Sequence, residues 1–177
     1  MLKKILVLLL LTTSMVSSQE WIQDNNKTSV LFQIKNFGLT VDGGFKSIDV
    51  NTNLDTKDLS NSYINGTIIV NSIFTGIEAR DKHLLETDYF DALNHEKIIL
   101  KSSKFRKDTN GNIILLAKLS IKGIINEMEI PLEVFEDNST LVLKASMLVN
   151  RENFSVGGRS ILLSNNVKIQ VEYSATK

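Results

Sequence analysis

The chain has 177 residues, 20 Lys+Arg against 20 Asp+Glu, and no Cys. The zero net charge gives no basic footprint for a nucleic-acid partner, and the lack of Cys excludes disulfides, thiolate metal sites, cysteine nucleophiles and a lipoprotein anchor on an N-terminal Cys. A hydrophobic fraction of 42% with a single Pro is typical of one folded domain rather than of a disordered chain.

The first 18 residues have the order of a secretory signal peptide. Lys3 and Lys4 precede an apolar run at residues 5–11, and small residues ending in Ser18 follow it. The apolar run is much shorter than the roughly 18 residues of a membrane-spanning helix. We therefore predict a signal peptide over residues 1–18, a mature domain over residues 19–177, and export to the periplasm as a soluble protein.

The mature chain continues with segments of alternating apolar and polar residues, which predict β-strands. Val30, Phe32 and Ile34 form the first apolar face, and the sequence Asp42-Gly43-Gly44 predicts the turn of the first hairpin. Residues 51–61 are polar and predict a connection. The later apolar faces are Ile64, Gly66, Ile68, Val70; Ile98, Leu100, Ser102; Ile113, Leu115, Ala117, Leu119, Ile121; Met128, Ile130, Leu132, Val134; Leu141, Leu143, Ala145, Met147, Val149; and Val167, Ile169, Val171, Tyr173.

Residues 76–91 interrupt this alternation with the signal of a short amphipathic helix. Apolar residues such as Leu84 and Phe90 recur at helical spacing, whereas Arg80, Asp81 and His83 supply polar groups. A charged plug at the mouth of a barrel would have this pattern. Further along, Arg151 ends an apolar strand and is predicted to close the barrel end by hydrogen-bonding to strand carbonyls.

The count is about eight strands and one short helix, so the fold class is all-β. Such strands bury their apolar faces either between two stacked sheets or inside one closed barrel. Small residues in the middle of strands leave space that favours a barrel with a cavity, although large neighbours such as Phe32, Phe37 and Phe45 could fill it. These small residues are Gly66, Ser102, Ala117 and Ala145.

Several motifs resemble those of the YceI-like family, the polyisoprenoid-binding or lipid-binding proteins of bacterial periplasms. The helical stretch carries Thr75-Gly76, Arg80-Asp81, His83-Leu84 and Asp88-Tyr89-Phe90-Asp91. Residues 119–124 and 149–154 resemble two later family motifs, with Lys122 where His is usual. The resemblance implies an extended antiparallel lipocalin-like β-barrel of about eight strands, with one short helix between strands, whose apolar lumen takes a long chain.

The function implied is that of a non-enzymatic periplasmic carrier for a long-chain apolar lipid, such as an isoprenoid quinone, a polyprenyl phosphate or a fatty acyl species, without a covalent cofactor. Arg80, Asp81 and His83 are expected to meet the head group, since Arg offers a planar fork of donors. Alternatively, Arg80 and Asp81 form a structural pair that links the helix to the ends of strands. The expected lipid-binding residues are Phe32, Ile34, Phe37, Val41, Phe45, Ile64, Ile68, Val70, Leu84, Phe90, Ile98, Leu100, Leu115, Leu119, Ile121 and Leu143.

Two other functions remain as alternatives. An envelope stress or electron-transfer adaptor would differ from a carrier in having a membrane-protein partner, and a homodimer is compatible with either. An enzyme would use His83 as a general base oriented by Asp81 or Asp88, but no nucleophile elbow, phosphate-binding glycine loop or paired-carboxylate motif accompanies it. His83 and His95 fit no familiar metal-binding spacing, so no metal site is expected.

Overall fold

A computed structural model describes residues 21–177, so the predicted signal peptide lies outside the described residues. One α-helix, α1 (Glu78–Leu84), is present in this part of the chain. No helix in residues 21–177 combines the length and apolar character needed to cross a membrane. The strands are β1 (Ile22–Gln23), β2 (Ser29–Asn36), β3 (Leu39–Phe45), β4 (Ile48–Asn53), β5 (Tyr63–Ile69), β6 (Ile73–Phe74), β7 (Lys97–Lys107), β8 (Ile113–Ile121), β9 (Ile124–Glu136), β10 (Thr140–Asn150) and β11 (Asn166–Thr176).

All strands belong to one antiparallel sheet, which confirms the predicted all-β class with one short helix. The order is β4-β5-β7-β8-β9-β10-β11-β2-β3-β6, and β1 pairs with β11. The sheet curls so that its apolar face becomes the interior. Most neighbours in the sheet are also neighbours in sequence, because antiparallel strands can be joined by short hairpins.

The described residues form 11 strands where the sequence predicts about eight. Two of the additional strands, β1 and β6, have only 2 residues each. The third, β4, extends into the stretch 51–61 that was predicted as a polar connection. Its half-buried positions Ile48, Val50 and Thr52 alternate with exposed Asp and Asn, and these outward residues are poor strand formers that conceal the alternation.

The first hairpin turns at Phe37 and Gly38, and the predicted turn at Asp42-Gly43-Gly44 is wrong. Phe37 and Gly38 have φ angles of 52° and 79°, and they link the paired ends of β2 and β3. Gly43 lies inside β3, where an added Cβ would overlap the Phe32 ring and would lie 2.6 Å from the carbonyl oxygen of Phe74. Glycine is therefore needed there for close packing rather than for a turn.

The β7–β8 and β8–β9 turns follow the sequence prediction. Asp108 accepts hydrogen bonds from the backbone N–H groups of Asn110 and Asn112, both at 2.8 Å. Hydrogen bonds, first of all the one from the Asn112 side chain, hold the pKa of Asp108 below its usual value. Lys122 and Gly123 have φ angles of 51° and 74°, so Gly123 interrupts the alternation as predicted.

The free edge of β4 is held by a side chain rather than by another strand. The Gln23 amide donates from Nε2 to the Ile48 carbonyl oxygen at 2.8 Å, and its Oε1 accepts from the Val50 N–H at 2.8 Å. Because Gln23 pairs with Ala175 of β11, this amide joins the two sides of the curled sheet. It also satisfies backbone groups that an exposed edge would leave unpaired.

The interior contains two clusters of buried side chains, at opposite ends of the curled sheet. The cluster next to α1, here called the upper cluster, consists of Val30, Phe32, Phe45, Val70, Ile73, Ala92, Ile98, Leu119, Val149, Phe154 and Val156. The lower cluster consists of Leu54, Ile64, Phe105, Ile113, Leu115, Ala117, Ile130, Leu141, Leu143, Tyr173 and Ala175. The partly buried residues Leu100, Met128 and Met147 contact both clusters.

The packing at Gly43 predicts that Gly43→Ala destabilises the protein by about 1–3 kcal/mol, because the new methyl group is forced against Phe32 and Phe74. Gly66→Ala is the matched control, since an added Cβ there meets only the Leu100 Cβ at 4.0 Å. The control should be neutral or stabilising by up to about 1 kcal/mol. Urea unfolding measures both changes, and equal losses from the two variants would contradict this packing.

Candidate functional site

The concave face of the sheet surrounds a cavity of about 380 Å³ that extends along the strands. On β11 the cavity-lining positions run from Val167 to Tyr173, which is about 20 Å at the usual rise of a strand. The matching positions on β10 run from Leu143 to Val149. The cavity is thus long and lies between the upper and lower clusters.

Of the 16 residues predicted to line the lumen, all but Phe37 and Val70 line this cavity. Phe37 is 70% exposed, because the left-handed backbone of the hairpin turn takes it out of the strand alternation. Val70 is buried, but it begins a single 3-10 turn after β5 and packs in the upper cluster. The lining residues that were predicted are Phe32, Ile34, Val41, Phe45, Ile64, Ile68, Leu84, Phe90, Ile98, Leu100, Leu115, Leu119, Ile121 and Leu143.

Strands β10 and β11 contribute much of the cavity wall beyond the predicted lumen residues. Their alternation is plain in the sequence, so the signal that could have identified them was already present. The alternation shows which residues face inward, but it does not show which part of a strand borders the cavity. The omitted lining residues on these two strands include Ala145, Met147, Val149, Val167, Ile169, Val171 and Tyr173.

Helix α1 and the segment after it cover the upper end of the cavity, here called the mouth. Leu84, Tyr89 and Phe90 line the cavity from this side. The ring of Phe90 meets Phe45 edge to face, with centroids 6.2 Å apart. Such a contact adds specific aromatic packing to the area that is buried. The predicted position of the amphipathic plug is therefore confirmed.

Arg80 and Asp81 tie α1 to the end of β6 through Thr75. Arg80 donates from Nε to the Thr75 hydroxyl at 2.8 Å and from Nη2 to the Thr75 carbonyl at 2.9 Å. The Thr75 hydroxyl in turn donates to the Asp81 carboxylate. Within residues 21–177, Nη1 is the guanidinium nitrogen of Arg80 that makes no hydrogen bond.

Of the three predicted head-group residues, Arg80 and His83 line the cavity and Asp81 does not. His83 is 55% exposed in its side chain, and its Nδ1 lies 2.9 Å from Glu86 Oε2. The enzyme alternative required Asp81 or Asp88 to orient His83, and the structure places Glu86 there instead. Across residues 21–177, no group of three or more metal-ligating side chains could hold a metal ion.

A buried arginine organises the other side of the mouth. Arg151 is 4% exposed, and its guanidinium donates to several acceptors in residues 155–165, here called the rim loop. The predicted structural role of Arg151 is found, but its acceptors belong to the rim loop and not to strands as expected. Its acceptors are the carbonyl oxygens of Ser164 (2.9 Å), Val156 (2.9 Å), Gly158 and Leu163 (3.1 Å) and the Asn165 Oδ1 (3.2 Å).

The rim loop is also fastened to the segment after α1. Lys122 Nζ donates to the carbonyl oxygens of Thr87, at 2.7 Å, and Ser155, at 3.0 Å. The Gly157 N–H donates to the carbonyl oxygen of Asp88 at 2.8 Å. Lys122 thus connects three segments around the mouth.

Tyr173 lies at the lower end of the cavity and is 2% exposed. Within residues 21–177, its hydroxyl has no hydrogen-bond partner. Burial raises the pKa of Tyr173, and the negative charge of Asp49 adds to this effect. The phenol is therefore neutral at physiological pH.

The Arg151 hydrogen bonds predict that Arg151→Met costs about 3 kcal/mol or more, because the buried Val156 carbonyl and four partly buried acceptors lose their donor. The penalty is about 1–3 kcal/mol for a fully buried acceptor. Arg106→Met is the matched control, since Arg106 is exposed and pairs with Glu129. An exposed pair contributes about 1 kcal/mol or less. Denaturant unfolding and amide hydrogen exchange in the rim loop measure the difference, and equal effects of the two variants would contradict the assignment.

The YceI-like domain family matches residues 21–175 of the chain. Among curated proteins, the UPF0312 protein SA2479 of Staphylococcus aureus is 30% identical over 155 residues, which is 82% of this chain and 87% of that protein. Its similarity therefore extends over nearly the whole domain and is not limited to one motif.

Solved structures share the fold at lower identity. BcnA of Burkholderia cenocepacia has a TM-score of 0.82 at 22% identity and covers 87% of this chain and 99% of its own. A polyisoprenoid binding domain from Saccharophagus degradans, implicated in plant cell wall breakdown, has a TM-score of 0.71 at 12% identity, with coverages of 89% and 98%. Since the family match spans almost all of the described residues, the chain belongs to the YceI-like family.

Proposed function

We propose that the protein is a non-enzymatic binding protein for a long-chain apolar lipid held in the cavity. Isoprenoid quinones, polyprenyl phosphates and fatty acyl species are the lipid classes that this shape would accept. The observation that carries the proposal is the elongated cavity, whose wall consists almost entirely of aliphatic and aromatic side chains from both clusters. The polyisoprenoid binding domain with the same fold supports it.

The physical basis of binding would be removal of the chain from water. Each CH₂ group that leaves water contributes roughly 0.8 kcal/mol. A preformed cavity adds to this because the protein needs little ordering when the ligand enters. The volume of about 380 Å³ falls within the roughly 300–1,000 Å³ of known small-molecule sites. Affinity should therefore rise with chain length until the cavity is filled.

The polar groups at the mouth would receive a charged or polar head group. Arg80 is the best candidate, because Nη1 is free while its other donors hold Thr75. His83 lies beside it on α1 and also lines the cavity. Asp81 would act through Thr75 and Arg80 rather than by touching the lipid. Together these contacts would set the orientation of the lipid more than its affinity.

Our proposal includes export to the periplasm, with cleavage of the signal peptide near Ser18. The motivating feature is the order of basic, apolar and small residues in the first 18 positions. The mass of the protein isolated from the cell envelope would identify the new N-terminus. A membrane-protein partner and a homodimer stay predictions from the sequence.

The head-group proposal predicts a charge-dependent effect of Arg80→Ala. Affinity for hexadecanoate should fall about tenfold to a hundredfold, as expected for the loss of one hydrogen bond to a charged group. Affinity for hexadecane should not change. Titration of the folded protein with both ligands measures this, and full retention of hexadecanoate affinity would mean that Arg80 serves only to hold α1.

The cavity itself is tested by filling it. Gly66 lines the cavity, and an added Cβ there would approach nothing closer than the Leu100 Cβ at 4.0 Å, so Gly66→Leu should occupy the lumen. We expect affinity for geranylgeraniol to fall at least tenfold while the unfolding midpoint stays equal or rises, since Gly weakens a strand.

The matched control is Asn65→Leu, which adds the same side chain on the exposed face of the same strand. It should leave geranylgeraniol affinity unchanged. Equal binding by Gly66→Leu and Asn65→Leu would place the ligand outside the lumen.

A further inference from the structure

We propose that the lower end of the cavity is a subsite for one uncharged oxygen atom of the lipid, with the Tyr173 hydroxyl as its hydrogen-bonding partner. The inference rests on the proposed function and goes beyond it, because it names the chemical class of the cargo. Lipids that carry a hydroxyl, ketone or quinone oxygen would be preferred to a plain hydrocarbon. Such lipids would enter with that oxygen first.

The position of Tyr173 follows from the strand alternation. It is the last of the inward residues of β11 that line the cavity, after Val167, Ile169 and Val171. It lies opposite Leu143 of β10. The mouth, with Arg80 and His83, is at the other end of the same strands. A lipid whose chain occupies the cavity would therefore bring its leading end to Tyr173.

Within residues 21–177, the Tyr173 hydroxyl has no hydrogen-bond partner, although Asp49 is close enough for its negative charge to raise the pKa of Tyr173. The rest of the lower cluster is aliphatic apart from Phe105. Buried hydroxyl groups almost always have a hydrogen-bond partner, and an unpaired one is unfavourable. A phenylalanine would fill nearly the same volume without that cost. The hydroxyl is thus a polar atom that the fold does not use, placed where the cavity ends.

The same surroundings determine which oxygen fits. The neutral phenol both donates and accepts a hydrogen bond, and burial keeps it neutral by raising the pKa of Tyr173. The charge that acts on this hydroxyl is the negative one of Asp49, which would also repel an anionic end of the lipid. An ionised carboxylate or phosphate would lose its hydration there and would gain only one hydrogen bond, from the phenol, which is unfavourable. The subsite therefore suits an uncharged oxygen, and charged ends stay at the mouth.

The test uses three ligands of equal length, hexadecane, 1-hexadecanol and hexadecanoate, each delivered from cyclodextrin to the mature protein. For the wild type, 1-hexadecanol should bind more tightly than hexadecane. Tyr173→Phe should weaken 1-hexadecanol about threefold to tenfold, the range for loss of one neutral hydrogen bond. Hexadecane and hexadecanoate should be unaffected.

The matched control is Tyr63→Phe, because Tyr63 is 38% exposed and does not line the cavity. It should change none of the three affinities. The ligand-free Tyr173→Phe protein should unfold at an equal or higher denaturant midpoint, since it no longer buries an unpaired hydroxyl. This second readout separates loss of a contact from loss of the fold.

Two results would overturn the inference while leaving the proposed function intact. One is unchanged binding of 1-hexadecanol by Tyr173→Phe, which would mean that the hydroxyl is satisfied without the lipid. The other is equal weakening of hexadecane and 1-hexadecanol, which would mean that Tyr173 contributes only packing. Failure of the wild type to bind hexadecane would instead reject the proposed function, and the inference with it.

Discussion

The rest of the structure depends on one constraint: a single antiparallel sheet has to cover its whole apolar face without a second sheet to pack against. Curling achieves this, but the inner walls then stand too far apart for their side chains to fill the space between them. Gly66 and Ala145, in the middle of their strands, widen that space further. A long apolar cavity follows from the geometry of the sheet, and a short plug at one end is enough to cover it.

Curling also creates ends and edges, and the polar residues of this protein are concentrated there. The Gln23 amide holds the free edge of β4. Arg151 donates hydrogen bonds to carbonyl groups of the rim loop. Thr75 anchors α1 through its hydrogen bonds with Arg80 and Asp81. The cavity wall between these ends is mostly apolar. Among residues 21–177, the buried side-chain polar atom without a hydrogen-bond partner is the Tyr173 hydroxyl.

The long strands were predictable from the sequence because their alternation is strict, whereas the errors arose where contacts distant in sequence decide the outcome. Asp42-Gly43-Gly44 has the composition of a turn, but the approach of Phe32 and Phe74 makes it a strand. Ser102 keeps its predicted inner position opposite Ala117, but a β-bulge between Ser102 and Lys104 then shifts the register and turns Phe105 inward, which the alternation does not show. The link of Arg80 and Asp81 to Thr75 could be anticipated only as an alternative, since sequence spacing does not give side-chain geometry. The missing partner of Tyr173 leaves no trace in the sequence.

Native mass spectrometry of the mature protein, purified from its own cells without added lipid, tests the central claim most directly. The account predicts a one-to-one adduct that dissociates on activation and is identified after solvent extraction as an isoprenoid or long-chain acyl species. A clean ligand-free mass that persists after incubation with quinones, polyprenyl phosphates and fatty acids would contradict the account. The function would then have to be sought on the outer surface of the sheet.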